Sequence, residues 1–113
     1  MAINKKDRKK FSIFQGRGIR MTFENGYTIS IQFGKYSYCD HYMDATSADI
    51  TDQQAGEIGS NTAEVAIYDS RDNFINLGDP LEGHHDVRGY LKPNDVLKLM
   101  NYAANLPSIE ESL

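Results

Sequence analysis

The stretch that decides the fold is IRMTFENGYTISIQF, residues 19–33. Apolar and polar residues alternate along both halves of this stretch, and Asn25 and Gly26 stand between the halves. This combination is the strongest short-range signal for a β-hairpin. We therefore predict two antiparallel strands joined by a tight turn.

The register of the hairpin depends on the length of its loop. A two-residue loop of Asn25 and Gly26 pairs Glu24 with Tyr27 and leaves each face half apolar. A three-residue loop, with Gly26 in the left-handed conformation, pairs Phe23 with Tyr27 and puts all the apolar residues on one face. We favour the three-residue loop; the two-residue loop would suit a sheet covered on both faces, for example by a second subunit. With the three-residue loop, the other face carries Arg20, Thr22, Thr28, Ser30 and Gln32.

Beyond the hairpin, the sequence predicts a long polar segment, further strands and a C-terminal helix. Residues 40–61 are polar, with room for a short helix from Ser47 to about Gln54. The nearly continuous apolar run at 63–68 is typical of a central strand buried on both faces. The remaining expected elements are a turn at 69–73, a partner strand at 74–77, a loop at 78–86, a strand at 87–91 and a helix at 93–105.

The predicted fold class is α+β, an antiparallel sheet of about five strands with one main C-terminal α-helix. In the helix, Pro93 suits the first position, Asp95 suits the positive end of the helix dipole, and Asn105 suits the C-cap. The apolar positions Val96, Leu99, Met100, Ala103 and Leu106 recur at three- and four-residue spacing, which predicts that the helix packs on the sheet.

Composition limits the class of protein. A chain of 113 residues forms one domain, 1–113, here with a basic N-terminal arm at 1–12 and a frayed tail at 108–113. A net charge of −4 argues against nucleic acid as the main partner. No apolar run approaches the roughly 20 residues that cross a membrane. The single cysteine, Cys39, excludes an intrachain disulfide and suits a cytoplasmic protein.

Catalytic and metal-binding motifs are weak in this chain. Cys39 and His41 could be combined with His84, His85 and Asp86, but no pair among them has structural-zinc spacing. A Cys–His nucleophile pair would need a thiol of low pKa, which a sequence does not reveal, and we expect Cys39 to be an inert buried thiol. We therefore expect no catalytic residue, no metal and no cofactor, and a protein that is not an enzyme.

A cluster of aromatic and basic residues is the better candidate for a site. Aromatic rings stack on nucleobases, arginine pairs with phosphates, and asparagine hydrogen-bonds base or ribose edges. If the loops converge at one end of the sheet, these residues form a nucleotide pocket; otherwise they are half-buried edge residues and solvated charges. The candidate ligand-binding residues are Arg88, Arg71, Phe74, Asn76, Tyr36, Tyr38, Arg17 and Tyr90.

Four stretches together resemble small proteins encoded by tailed bacteriophages: NGYTISIQFG (25–34), YCD (38–40), AEVA (63–66) and VRGY (87–90). They are most similar to the Thoeris anti-defence sponge family, and the likeness spans residues 18–106. The resemblance implies a non-enzymatic protein that sequesters a nucleotide immune signal, a cyclic ADP-ribose isomer made by a TIR-domain enzyme. Some members of that family also take up cyclic oligonucleotides at separate sites of an oligomer, which the resemblance would extend to this chain.

Three functions therefore compete. The first is a nucleotide sponge acting in the cytoplasm of an infected bacterium. The second is a phage inhibitor that contacts a host protein, for which the acidic segment 40–61 is the natural epitope. The third is a small nucleotide-processing enzyme. We also expect a homo-oligomer, because strand 63–68 needs cover on both faces and one terminal helix covers only one.

Overall fold

A computed structural model describes residues 9–13, 18–34, 39, 60–75, 80 and 86–109. Five strands in this part of the chain form one antiparallel sheet with the order β1-β2-β3-β4-β5, and a helix follows them. The predicted α+β fold is confirmed. The elements are β1 (Phe11–Ile13), β2 (Gly18–Thr22), β3 (Thr28–Gln32), β4 (Ala63–Tyr68), β5 (Val87–Leu91) and α1 (Pro93–Ala104).

The β2–β3 hairpin has the three-residue loop. The Phe23 amide donates to the Tyr27 carbonyl at 2.8 Å, and the Gly26 amide donates to the Phe23 carbonyl at 2.9 Å. Gly26 has a φ of 96°, a left-handed conformation that glycine adopts without steric cost. Because the turn sets the register, the apolar residues of both strands lie on one face, as predicted.

The sheet has two faces of different character. We call the side covered by α1 the helix face; its core consists of Ile29, Val65, Ile67 and Leu91 from the strands, packed against Leu99 and Ala103 of α1. The opposite side is the polar face, and the strand register places on it Arg20, Thr22, Thr28, Ser30, Gln32, Glu64, Ala66 and Tyr68.

Strand β4 is central and buried on both sides, as predicted. Val65 and Ile67 are buried on the helix face, and Ala66 is buried on the polar face. A single chain therefore buries β4 without a second subunit. The homo-oligomer stays a prediction, but covering this strand is no longer an argument for it.

Helix α1 is bounded by the capping residues Lys92 and Asn105. Pro93 occupies the first turn after the N-cap Lys92, whose amide donates to the Asp95 carboxylate at 3.3 Å. Asn105 is the C-cap, and its amide donates to the Asn101 carbonyl at 3.1 Å. Both caps agree with the predicted boundaries. Among the described residues, no helix is long and apolar enough to span a membrane.

Some described residues near the two ends of the chain form backbone contacts with the sheet. Strand β1 begins at Phe11, inside the predicted basic arm. In the predicted frayed tail, the Ile109 amide donates to the Asn25 carbonyl at 2.9 Å. The Asn25 side-chain amide donates to the carbonyls of Ala103 at 2.8 Å and Leu106 at 3.0 Å, and so ties the hairpin turn to the end of the helix.

The expected helix at 47–54 lies wholly outside the described residues, and the strand expected at 74–77 lies partly outside them. Of the strand expected at 74–77, the described part is Phe74 and Ile75: Phe74 forms a bridge with Tyr68, and the Ile75 amide donates to the Ile67 carbonyl at 2.9 Å. Phe74 and Ile75 therefore pair with Tyr68 and Ile67, at the end of β4 that β5 does not reach.

Candidate functional site

Three side chains stack on the polar face and form what we call the stacking cluster, Arg20, Tyr68 and Phe74. The central carbon of the Arg20 guanidinium lies 5.5 Å from the centre of the Tyr68 ring. The rings of Tyr68 and Phe74 have their centres 5.0 Å apart at an interplanar angle of 34°. Residues far apart in sequence thus meet because β3 pairs with both β2 and β4.

Hydroxyl groups lie beside the stacking cluster on the strand between Arg20 and Tyr68. Thr28 is 0% exposed, and its hydroxyl lies 2.9 Å from the hydroxyl of Thr22. Ser30 is also buried, and its hydroxyl accepts a hydrogen bond from the Gln32 side-chain amide at 3.0 Å. Buried polar groups of this kind are stable only when they are hydrogen-bonded. The centre of the polar face is therefore inaccessible to solvent, although hydroxyl side chains fill it.

The turn after β4 positions Phe74. One carboxylate oxygen of Asp69 accepts hydrogen bonds from the amides of Arg71 at 2.8 Å and Asn73 at 3.0 Å. Burial raises the pKa of Asp69, but the hydrogen bonds from Asn73 and Arg71 outweigh it, so the pKa lies below its usual value. The ionised carboxylate closes the turn, in which Asp72 adopts a left-handed φ of 64°.

The stacking cluster offers groups that bind rather than react. A guanidinium pairs with phosphate oxygens in a forked geometry, and an exposed ring stacks on a flat base. Phe74 is 44% exposed and Arg20 and Tyr68 are half-buried, so the cluster reaches the surface. Its geometry therefore suits a ligand that carries both a ring and a negative charge.

The predicted site residues do not all come together. Phe74 belongs to the stacking cluster, and Arg71 is exposed in the adjacent turn. Arg88 pairs with Val65, so it lies on the helix face, where it lines a small crevice with Ile67 and Leu99. Because residues directly opposite in a sheet share a face, Arg88 and Phe74 lie on opposite sides of the sheet.

Tyr90 lies at the other end of β4 from Phe74. A shift in register leaves Gly89 and Tyr90 together opposite Glu64, which is four residues from Tyr68, or roughly 13 Å along the strand. Tyr90 is 54% exposed and has a left-handed φ of 56°, which is rare for an aromatic residue. Tyr90 is therefore exposed at the opposite end of β4 from the stacking cluster.

Several predictions fall outside the described residues, namely the candidate ligand-binding residues Tyr36, Tyr38, Arg17 and Asn76 and the three histidines. Within the described ranges, no group of three or more His, Cys, Asp or Glu side chains is placed to hold a metal ion. Cys39 is buried, and its thiol donates to the Gly34 carbonyl at 3.6 Å. A Cβ atom on Gly18 would lie 2.1 Å from the Ile31 carbonyl oxygen, so this glycine permits close strand packing.

An apolar groove provides a second concave surface. It has a volume of about 430 Å³ and lies between the first turns of α1 and the ends of β3, β4 and β5. Ser60, Asn61 and Thr62 supply its polar groups. The other described lining residues are Ile31, Phe33, Ala63, Leu91, Pro93, Val96, Leu97 and Met100, and none of these is cationic.

Two members of the stacking cluster, Arg20 and Tyr68, were not among the candidate residues. The alternation in β2 does place Arg20 on the polar face, which is a signal that the sequence contains. Thr28 and Tyr68 pair although they are 40 positions apart in the sequence, and no local pattern specifies that pairing. The sequence therefore predicted the face of Arg20 and the candidacy of Phe74, but not the contact of either residue with Tyr68.

Comparison with known proteins returns no matching family model, no matching curated protein and no matching solved structure. The resemblance to the anti-defence sponge family thus stays a prediction, and the function must be argued from the geometry of the polar face.

Proposed function

We propose that this chain binds and sequesters a nucleotide signal, without cleaving it, on the polar face of its sheet. The signal belongs to the class of cyclic ADP-ribose isomers, and sequestration in the cytoplasm of an infected bacterium would block a host defence. The observation that supports the proposal is the stacking cluster, in which Arg20, Tyr68 and Phe74 lie within 5.5 Å of one another in succession.

The proposal assigns separate roles to the three side chains. Phe74, the most exposed of them, stacks on the adenine ring. The Arg20 guanidinium pairs with a phosphate, and its contact with the Tyr68 ring holds the guanidinium plane in place. Stacking and ion pairing hold a ligand without breaking bonds in it, which is the behaviour of a sponge.

The polar face suits this ligand better than the apolar groove does. A ligand with two phosphates loses strongly bound water on binding, and only charged or well-placed polar groups compensate for that loss. Among the residues that the structure describes, those lining the groove supply the hydroxyls of Ser60 and Thr62 and the amide of Asn61 but no cation, whereas the polar face carries Arg20.

The test is calorimetric titration of the purified chain with cyclic ADP-ribose isomers, with ADP-ribose as the linear comparison. We expect Arg20→Ala to weaken binding by about one to two orders of magnitude, since a charge-assisted contact is worth roughly 1.5–3 kcal/mol. Phe74→Ala should weaken it to a similar extent through lost stacking, worth roughly 1–3 kcal/mol per base.

Two matched variants serve as controls. Arg71→Ala removes the same charge from the neighbouring exposed turn, and Arg88→Ala removes it from the helix face. Both should leave the affinity within about threefold of the native value, because neither side chain belongs to the cluster. Loss of binding in Arg88→Ala, with binding retained in Arg20→Ala, would place the site on the helix face and overturn the proposal.

A second measurement separates a sponge from an enzyme. The chain is saturated with a cyclic ADP-ribose isomer, washed, heat-denatured, and the released nucleotide is identified by mass spectrometry. Intact cyclic nucleotide is expected. Recovery of a linear or hydrolysed product would show catalysis and would contradict the proposed function.

A further inference from the structure

Strand β1 leaves apolar side chains uncovered at one edge of the sheet. It is the first strand in the order β1-β2-β3-β4-β5, and Phe11 and Ile13 are 72% and 79% exposed. They pair with Met21 and Ile19, so they lie on the helix face beyond the reach of α1, which contacts β3 and β4. Exposed apolar edge strands are templates for pairing with another chain.

The backbone of β1 presents its hydrogen-bonding groups outward. The Thr22 amide donates to the Lys10 carbonyl at 2.8 Å, so Lys10 and, two residues on, Ser12 direct their backbone groups toward β2. In an antiparallel pair the direction alternates with every residue, and Phe11 and Ile13 therefore direct their N–H and C=O groups away from the sheet.

We propose that β1 pairs antiparallel with β1 of a second copy of this chain, about a two-fold axis at Ser12. In this register Phe11 of one copy and Ile13 of the other exchange two backbone hydrogen bonds, and the symmetry repeats the pair. The apolar residues of the two copies then form one strip between the two helices, on a continuous ten-stranded sheet.

A second copy fits this edge because the edge is complementary to itself. The two residues with outward backbone groups are also the two apolar residues, and they stand symmetrically around Ser12. Charge selects the antiparallel direction: Lys10 of each copy then lies roughly 14 Å from its equivalent, beyond the Debye length of about 8 Å at physiological salt. Parallel pairing would set these lysines side by side.

The apolar area matches a reversible dimer. Phe11, Ile13 and Ile19 are 72%, 79% and 38% exposed. At about 200 Å² for Phe and somewhat less for Ile, they expose roughly 350 Å² in each copy. Covering them in both copies, together with the paired main chains, approaches the roughly 1,200 Å² at the lower end of specific interfaces. The dimer should therefore dissociate on dilution.

Disulfide trapping tests the register. In a Cys39→Ser background, Ser12→Cys places two thiols opposite each other on the two-fold axis, in a pair without backbone hydrogen bonds, where Cβ atoms are closest. We expect rapid formation of a covalent dimer under mild oxidation. Phe11→Cys, in the same background, should form little, because its equivalent in the second copy lies two residues away along the strand.

A third variant and light scattering complete the test. Adding Ile13→Lys to Ser12→Cys should abolish trapping while the fold, followed by circular dichroism, is kept, because Ile13 is exposed. The native chain should show a mass that rises from monomer to dimer with concentration. Equal trapping of Phe11→Cys and Ser12→Cys, or a monomer at every concentration without trapping, would overturn the proposal; neither result bears on nucleotide binding by the polar face.

Discussion

The two faces of the sheet are both closed at the centre, but by different chemistry. On the helix face, Ile29 and Val65 are buried against Leu99 of α1. On the polar face, Thr28 and Ser30 are equally buried beside the stacking cluster. Apolar burial contributes stability roughly in proportion to area, whereas buried hydroxyls contribute little net stability and must be hydrogen-bonded.

This difference indicates a division of work between the faces. The helix face holds the fold together, and substitutions there should change the free energy of unfolding much more than any binding affinity. The polar face carries hydroxyl, aromatic and cationic groups at its surface. Substitutions of these surface groups should change ligand affinity more than the free energy of unfolding.

Leu99→Ala should lower the free energy of unfolding by about 3 kcal/mol, because it opens a cavity in the core of the helix face. Urea denaturation measures the change. Leu97→Ala is the matched control: this leucine is exposed on the same helix, so the change should stay within about 0.5 kcal/mol. Equal losses in the two variants would mean that α1 does not use Leu99 to cover the sheet.

Asn25→Asp should lower the free energy of unfolding by about 2 kcal/mol. Aspartate keeps the oxygen that accepts from the Tyr27 amide but replaces the donor to the carbonyls of Ala103 and Leu106. Asn105→Asp makes the same charge change at the same helix end, in an exposed position, and should cost less. Thermal unfolding of both variants decides whether the tie to Asn25 stabilises the helix face.

Thr28→Val and Thr22→Val should each cost about 1 kcal/mol, because each removes one partner of the hydroxyl pair on the polar face. The double variant should cost less than the sum of the two, since the same hydrogen bond is lost in both. A double-mutant cycle by urea denaturation measures this coupling. Strict additivity would show that the pair contributes nothing to the closure of the polar face.

Asp69→Asn should have the smallest effect, no more than about 0.5 kcal/mol at about pH 7, because the carboxylate is largely in solvent. The folded-state pKa of Asp69 lies below the ordinary value of 3.8, so its contribution is fully present above that pH. The contribution is lost as the pH falls through the folded-state pKa. The stabilities of native protein and variant should therefore converge in acid, and a constant difference across the pH range would contradict the assignment.

Much of the fold could be predicted from local pattern. Alternation around Gly26 predicted the hairpin and its three-residue loop, and the apolar run at 63–68 predicted the central strand. Pro93 and Asn105 marked the ends of the helix. These features are local because turn conformation, strand alternation and capping involve residues only a few positions apart.

The candidate site was predicted less well, since it depends on which strands lie side by side. The sequence by itself determined which residues of each strand share a face, and so placed Arg20 with Thr22 and Ser30. Only the tertiary structure decided that Tyr68 lies across β3 from Arg20, that Arg88 turns to the helix face, and that β1 stands at an open edge. The physical reason is that a strand's periodicity specifies its faces but not its neighbours, which are selected by packing over the whole sheet.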